Sequence, residues 1–102
     1  MTPEEYLASI ADLVEHGKWT QYVAFGDGIT TPVCLAGAID HIYAQGAVKY
    51  DDFIKSCKAI LAEIGAPDKY HLGYSVMGSW NDARGRTREE VVSTIRNAKR
   101  WL

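Results

Sequence analysis

The stretch SWNDARGRTREE, Ser79 to Glu90, gathers an indole, an amide, carboxylates and three arginines in twelve positions. Two chemistries could come from it. Trp80, Asn81 and Asp82, facing Trp19 across a cleft, could hold a small molecule or nucleotide, or support a modest hydrolase. Arg84, Arg86 and Arg88 stand at or just before a helix start, where free backbone N–H groups already favour an anion, so a phosphate or an acidic protein surface would fit. Each feature also has a purely structural reading. Asx side chains near a helix end accept backbone N–H bonds and support tight turns. An indole anchor, an Asx turn, Gly85 and a Thr87 cap then form a helix–helix corner, with the arginines paired to Asp82, Glu89 and Glu90 in water. The corner is the favoured reading, because every residue in it has a local backbone reason to be there.

Other reactive side chains are scattered. Cys34 and His41 lie seven residues apart on one predicted helix, about 10 Å along its axis, too far for a nucleophile–base bond of about 3 Å. A Cys34–His71–Asn81 set would require His71 to fold over Cys34; a buried small thiol is the simpler reading. His16, His41 and His71 form none of the close ligand pairs that build zinc sites. Gly26-Asp27-Gly28 lacks the further glycine and the helix opening of a dinucleotide loop, and the alternating oxygen ligands of a calcium loop are missing. The expectation is no catalytic residue, no metal and no cofactor.

The 102 residues suit one domain, 1–102. With 47% hydrophobic and 11% aromatic residues, the chain has the side chains for a core and does not read as disordered. A net charge of −2 argues against general nucleic-acid affinity. Its distribution says more. Residues 1–83 carry five Lys and eleven acids, whereas every arginine falls in 84–102, with one Lys and two Glu. Such asymmetry suits a partner or self-association, and equally a helix end that favours cations. Two cysteines are too few for a secreted disulfide framework, so buried free thiols in a reducing compartment are expected. No basic n-region with an apolar stretch opens the chain, and the longest apolar run, Val33 to Ile39, is too short to span a membrane. The expected setting is the cytoplasm.

The elements that must position these residues are mostly helices. Thr2-Pro3-Glu4-Glu5 is a capping box with proline in the first turn, and Tyr6, Leu7, Ile10, Leu13 and Val14 follow at helical spacing until Gly17. In KWTQYVAFGDGITTP, Asp27-Gly28 predicts a hairpin pairing Gln21–Phe25 with Ile29–Thr31, or else a compact ordered loop. Thr31-Pro32 opens a second helix, apolar almost all round and so the most buried. YDDFIKSCKAILAEIGAP is the third, with a stripe of Phe53, Ile54, Cys57, Ile60, Leu61 and Ile64. After a loop or extended link, DKYHLGYS, a short helix covers about Val76 to Ala83. Thr87-Arg88-Glu89-Glu90 is a second capping box, opening a final helix that buries Val91, Ile95, Ala98 and Leu102. The fold class is mainly α: a compact bundle of about four to five helices, with a small β-hairpin or ordered loop after the first.

Three segments resemble a family of small, functionally uncharacterised domains of actinobacteria and their phages. They are Trp19-Thr20-Gln21, the helix Cys34-Leu35-Ala36-Gly37-Ala38-Ile39, and Trp80-Asn81-Asp82 followed by Gly85-Arg86-Thr87 and Glu90-Val91. The resemblance runs from about Trp19 to Ile95 and is most specific in the last block. In that family a proline often stands where this chain has Arg84, which implies that the short helix ends earlier than Ala83. It implies an actinobacterial or phage source, the host cytoplasm in the latter case, and no mechanism.

The function expected from all this is non-enzymatic: binding a macromolecular partner, a host protein if the domain is phage-borne, with Arg84, Arg86 and Arg88 as the partner- or anion-facing group. The alternative is a small-molecule or nucleotide binder, or modest hydrolase, in the cleft of Trp19 and Trp80-Asn81-Asp82. Nucleic acid is held down as a partner by the acidic remainder of the chain, and a membrane is excluded as a partner.

Overall fold

Helix α1 runs Pro3–His16, α2 Leu35–Ala44, α3 Tyr50–Glu63, α4 Tyr74–Asn81 and α5 Arg88–Asn97, and a 3₁₀ turn, Ala98–Trp101, closes the chain. These elements come from a computed structural model, which describes residues 1–22, 25–66 and 73–102. Residues 67–72, with His71 and most of the expected DKYHLGYS link, therefore lie outside the described residues, as do Val23 and Ala24.

The bundle is held where the apolar stripes meet. α1 lies chiefly along α5 and also touches α2 and α3, while α4 packs on α2 and the 3₁₀ turn on α3. Tyr6, Leu7, Ile10 and Val14 of α1, Leu35 and Ile39 of α2, Cys57 and Ile60 of α3, Met77 of α4 and Val91 and Ile95 of α5 are all buried in one core. The Tyr6 hydroxyl, sealed within it, donates to the Ile39 carbonyl at 2.7 Å and so ties α1 to α2. Phe53 gathers the rings of three helices, stacking on Tyr43 at 3.9 Å and meeting Tyr74 edge-on at 6.4 Å.

Both capping boxes form. Thr2 Oγ1 accepts from the Glu5 N–H and Glu5 from that of Thr2; Thr87 and Glu90 repeat the exchange. α2 starts later than expected, at Leu35 and not at Thr31-Pro32. Its N-cap is Cys34, whose Sγ accepts from the Gly37 N–H at 3.4 Å. α4 spans Tyr74–Asn81, shifted from the expected Val76–Ala83. No helix among the described residues is long and apolar enough to cross a membrane.

A hairpin or an ordered loop was expected after α1, and the hairpin is not confirmed: Val23 and Ala24, inside its first expected strand, lie outside the described residues. Among the described residues Val33 makes isolated bridges to Trp19 and Phe25, and no strand forms. The reason lies in Asp27. Its Oδ1 accepts from the backbone N–H of Ile29, Thr30 and Thr31 at 2.7–3.0 Å, bonds a hairpin turn would need elsewhere. Gly28, at φ +76°, follows in a left-handed conformation against Leu13.

The acidic body and basic tail are used inside the molecule. Arg96 of α5 bonds Asp12 at 2.9 Å and Glu15 at 3.1 Å on α1, and Arg100 meets Glu63 of α3 at 3.1 Å.

Candidate functional site: a polar clasp and the loop it holds

The corner at Trp80-Asn81-Asp82 centres on one amide. Asn81, the last residue of α4, is fully buried. Its Oδ1 accepts from the Trp19 indole Nε1 at 2.8 Å and from the Leu35 backbone N–H at 3.2 Å. Its Nδ2 donates to the Thr20 carbonyl at 3.2 Å and to Asp82 Oδ1 at 3.0 Å. A side-chain amide offers two lone pairs and two N–H bonds. All four are used.

The surroundings extend the clasp. Gln21 Nε2 donates to the carbonyls of Asn81 at 3.2 Å and Ala83 at 2.8 Å, filling acceptors that the end of α4 leaves open. Asp82 accepts from the Tyr22 N–H at 2.5 Å. Leu35 begins α2, so its N–H is one of the orphan donors of that helix. Asn81 thus caps α2 from a distant part of the chain, next to the thiol of Cys34. One side chain joins the end of α4, the start of α2 and the foot of the loop.

The structure brings Trp19, Asn81 and Asp82 together and revises how they act. Asn81 was expected to serve a local Asx turn; its side chain reaches mostly across the sequence. Asp82 was expected to meet Arg84 or Arg86, yet its carboxylate is turned to Asn81 and Tyr22, and among the described residues it has no ion pair. Trp80 is half-buried against the core. The Arg86 guanidinium lies 4.0 Å from the centre of its ring, donates to its carbonyl at 3.0 Å and pairs with Glu90 at 3.0 Å. The three arginines therefore differ. Arg86 belongs to the corner. Arg88 is half-buried with an unpartnered Nε, and Arg84 is exposed without an ion pair among the described residues.

The clasp holds up a loop whose surface the sequence did not single out. Tyr22, Phe25 and Ile29 are 66%, 59% and 69% exposed. Tyr22 also sits at φ +69°, a conformation that a bulky side chain resists and that its bond to Asp82 helps to hold. Lower in the loop, the Thr30 hydroxyl, with the Thr31 and Ile29 N–H groups, keeps the Asp27 carboxyl far below the usual carboxylate range. A left-handed tyrosine has no sequence signature. The one available signal was Gln21, a long amide in the run Trp19-Thr20-Gln21-Tyr22.

Residues 1–100 match the model of a family described as "Family of unknown function (DUF6197)". The chain belongs to that family. No curated protein and no solved structure matches it.

Among the described residues, which exclude His71, the remaining candidates in this DUF6197 chain are not assembled into a catalytic set. His41 stands at the other end of α2 from Cys34 and is hydrogen-bonded to Gln45 at 3.1 Å. Asn81, the third member imagined for a cysteine nucleophile, has no hydrogen-bonding capacity left. Cys57 is fully buried, which pushes its thiol up to about 12. The ligand atoms of Asp12, Glu15 and His16 lie within 4.8 Å of one another on the surface, a grouping the histidine spacing did not reveal. Arg96 already bonds both carboxylates, in the place a cation would take.

Proposed function

We propose that this domain is a non-enzymatic module that binds another protein through the loop between α1 and α2. The observation that carries the reading is the exposure of Tyr22, Phe25 and Ile29 on a loop whose foot is fixed by a saturated, buried amide. Large apolar side chains exposed to water are suited to filling pockets on a partner, and a foot already fixed by hydrogen bonds lessens the entropy lost on binding. Of the corner arginines, Arg84 remains the one to face that partner. The resemblance to domains of actinobacteria and their phages makes a host protein, met in the host cytoplasm, the expected target.

A small-molecule or nucleotide site between Trp19 and the corner comes second, because it needs polar atoms free to meet a ligand. Here the indole N–H and the Asn81 amide are bonded to each other, and Gln21 and Asp82 are engaged as well.

The test compares capture from an actinobacterial lysate by the wild type and by Phe25→Ser with Ile29→Ser. The reading requires a specific protein retained by the wild type and lost by the double variant at an unchanged thermal midpoint. Identical retained proteins would refute it.

A further inference from the structure

A second surface lies on α3, where Lys55, Ala59, Ala62 and Ala66 recur every three or four residues, with Lys58 beside Ala59, and so form one stripe, continuing past the helix end. With Trp101 of the 3₁₀ turn they line a half-open groove of about 340 Å³. Trp101 is 55% exposed, yet it is not loose: its Nε1 donates to Glu63 at 2.8 Å. Arg100 bonds the same carboxylate at 3.1 Å. Glu63 is thereby neutralised, and among the described residues Lys55 and Lys58 make no ion pair and no carboxylate lines the groove.

We propose that this groove docks an acidic amphipathic segment of a partner protein. The floor is apolar, an oriented indole forms one wall, and two ammonium groups one turn apart stand on the rim. A helix or extended segment bearing leucine- or phenylalanine-like anchors beside Asp or Glu complements all three. The indole is the anchor of the contact, since exposed tryptophans at grooves carry much of the energy of such interfaces. The lysines select the sign of the partner and speed its approach. A small ligand fits less well, because such sites bury 70–90% of their occupant and this groove is open to water. The surface is built from other residues than the loop and stands independently of it.

Panning a displayed library of random peptides against the intact protein tests this directly. Enriched sequences should combine Asp or Glu with Leu, Phe or Trp. Their synthetic forms should bind the wild type about tenfold more tightly (about 1.4 kcal/mol) than Lys55→Glu with Lys58→Glu, and Trp101→Ala should abolish binding. Both lysines are exposed, so the charge-reversed protein should keep its thermal midpoint even if Trp101→Ala loses stability. Enrichment of basic sequences, equal binding to the charge-reversed protein, or no enrichment at all would overturn the proposal. So would tighter binding of duplex DNA through the same lysines. A concentration-dependent dimer dissolved by Trp101→Ala would make a second copy the occupant, and would equally overturn it.

Discussion

Trp19 and Asn81, sixty-two positions apart in the chain, meet in a 2.8 Å hydrogen bond between an indole N–H and a buried amide oxygen. The bond explains why Asn and not another small polar residue stands at the end of α4. The site needs two acceptor sites facing two N–H groups and two donors facing two oxygens. Asn81→Asp keeps the shape and removes both donors, setting a carboxylate against Thr20 O and Asp82. Stability should fall by about 3–5 kcal/mol, as when a buried charge loses its partner. Urea unfolding at constant m measures it; a loss below about 1 kcal/mol would mean the amide is not the centre of the clasp.

Trp80 is expected to matter less than its size suggests. Fully buried aromatic rings lose about 3–5 kcal/mol on truncation to alanine; Trp80 is half-buried and covered on one face by Arg86. Trp80→Ala should cost about 2 kcal/mol, below that range. A double-mutant cycle with Arg86→Ala should return a coupling of about 0.5–2 kcal/mol. Additive single effects would show that the stacked guanidinium contributes nothing.

Gly17 is predicted to resist any side chain. A Cβ there would collide with the carbonyl oxygens of Gly28 and Leu13, both backbone atoms that cannot swing aside. Gly17→Ala should therefore destabilise by about 1–3 kcal/mol, the usual cost of overpacking. Gly46→Ala is the control for a glycine with open space around it, where only the positive φ is felt.

Asp27 should make stability depend on acid. Its folded pKa is depressed, first by the Thr30 hydroxyl and then by loop N–H groups. Its contribution is therefore present above the unfolded value of about 3.9 and disappears as pH falls below it toward the folded pKa. Asp27→Asn should lower the thermal midpoint at pH 7, and the gap from the wild type should narrow in acid. A gap independent of pH would show that the carboxylate charge is not what organises the loop.

Neither thiol should react in the folded protein. Cys57 is fully buried and its thiolate is disfavoured, while Cys34 is 4% exposed and engaged at the start of α2. A thiol reagent at neutral pH should label both only upon unfolding. Stoichiometric labelling of Cys34 within seconds would restore it as a nucleophile candidate.

What the sequence disclosed were interactions closed within a few residues. The boxes at Thr2–Glu5 and Thr87–Glu90, the apolar stripes and the burial of Cys57 follow from periods of three and four and were legible. Long-range bonds were not. Asn81 beside Asp82 and Gly85 satisfies the local pattern of a turn, and nothing in that pattern reveals Trp19, Thr20 and Leu35 as its partners. Cys34 was overlooked as a cap because thiols rarely serve as one; the hydroxyl of Thr31, followed by Pro32, offered a more familiar start. Asp27-Gly28 suggested a hairpin because the rule counts residue types, whereas the outcome depended on where one carboxylate pointed. Charge segregation was visible, but its use in pairing α5 with α1 and the 3₁₀ turn with α3 required the packing of those elements.

The division between a fixed foot and exposed tips has an engineering consequence. Trp19, Thr20 and Gln21 are tied to the framework through Asn81, whereas Tyr22, Phe25 and Ile29 project their side chains into water. Side chains at the tips should be exchangeable with little effect on folding, whereas those of the foot should not. The fold is arranged as a display scaffold, and randomising Phe25 and Ile29 on an otherwise unaltered chain should yield a library of folded variants that differ in what they recognise.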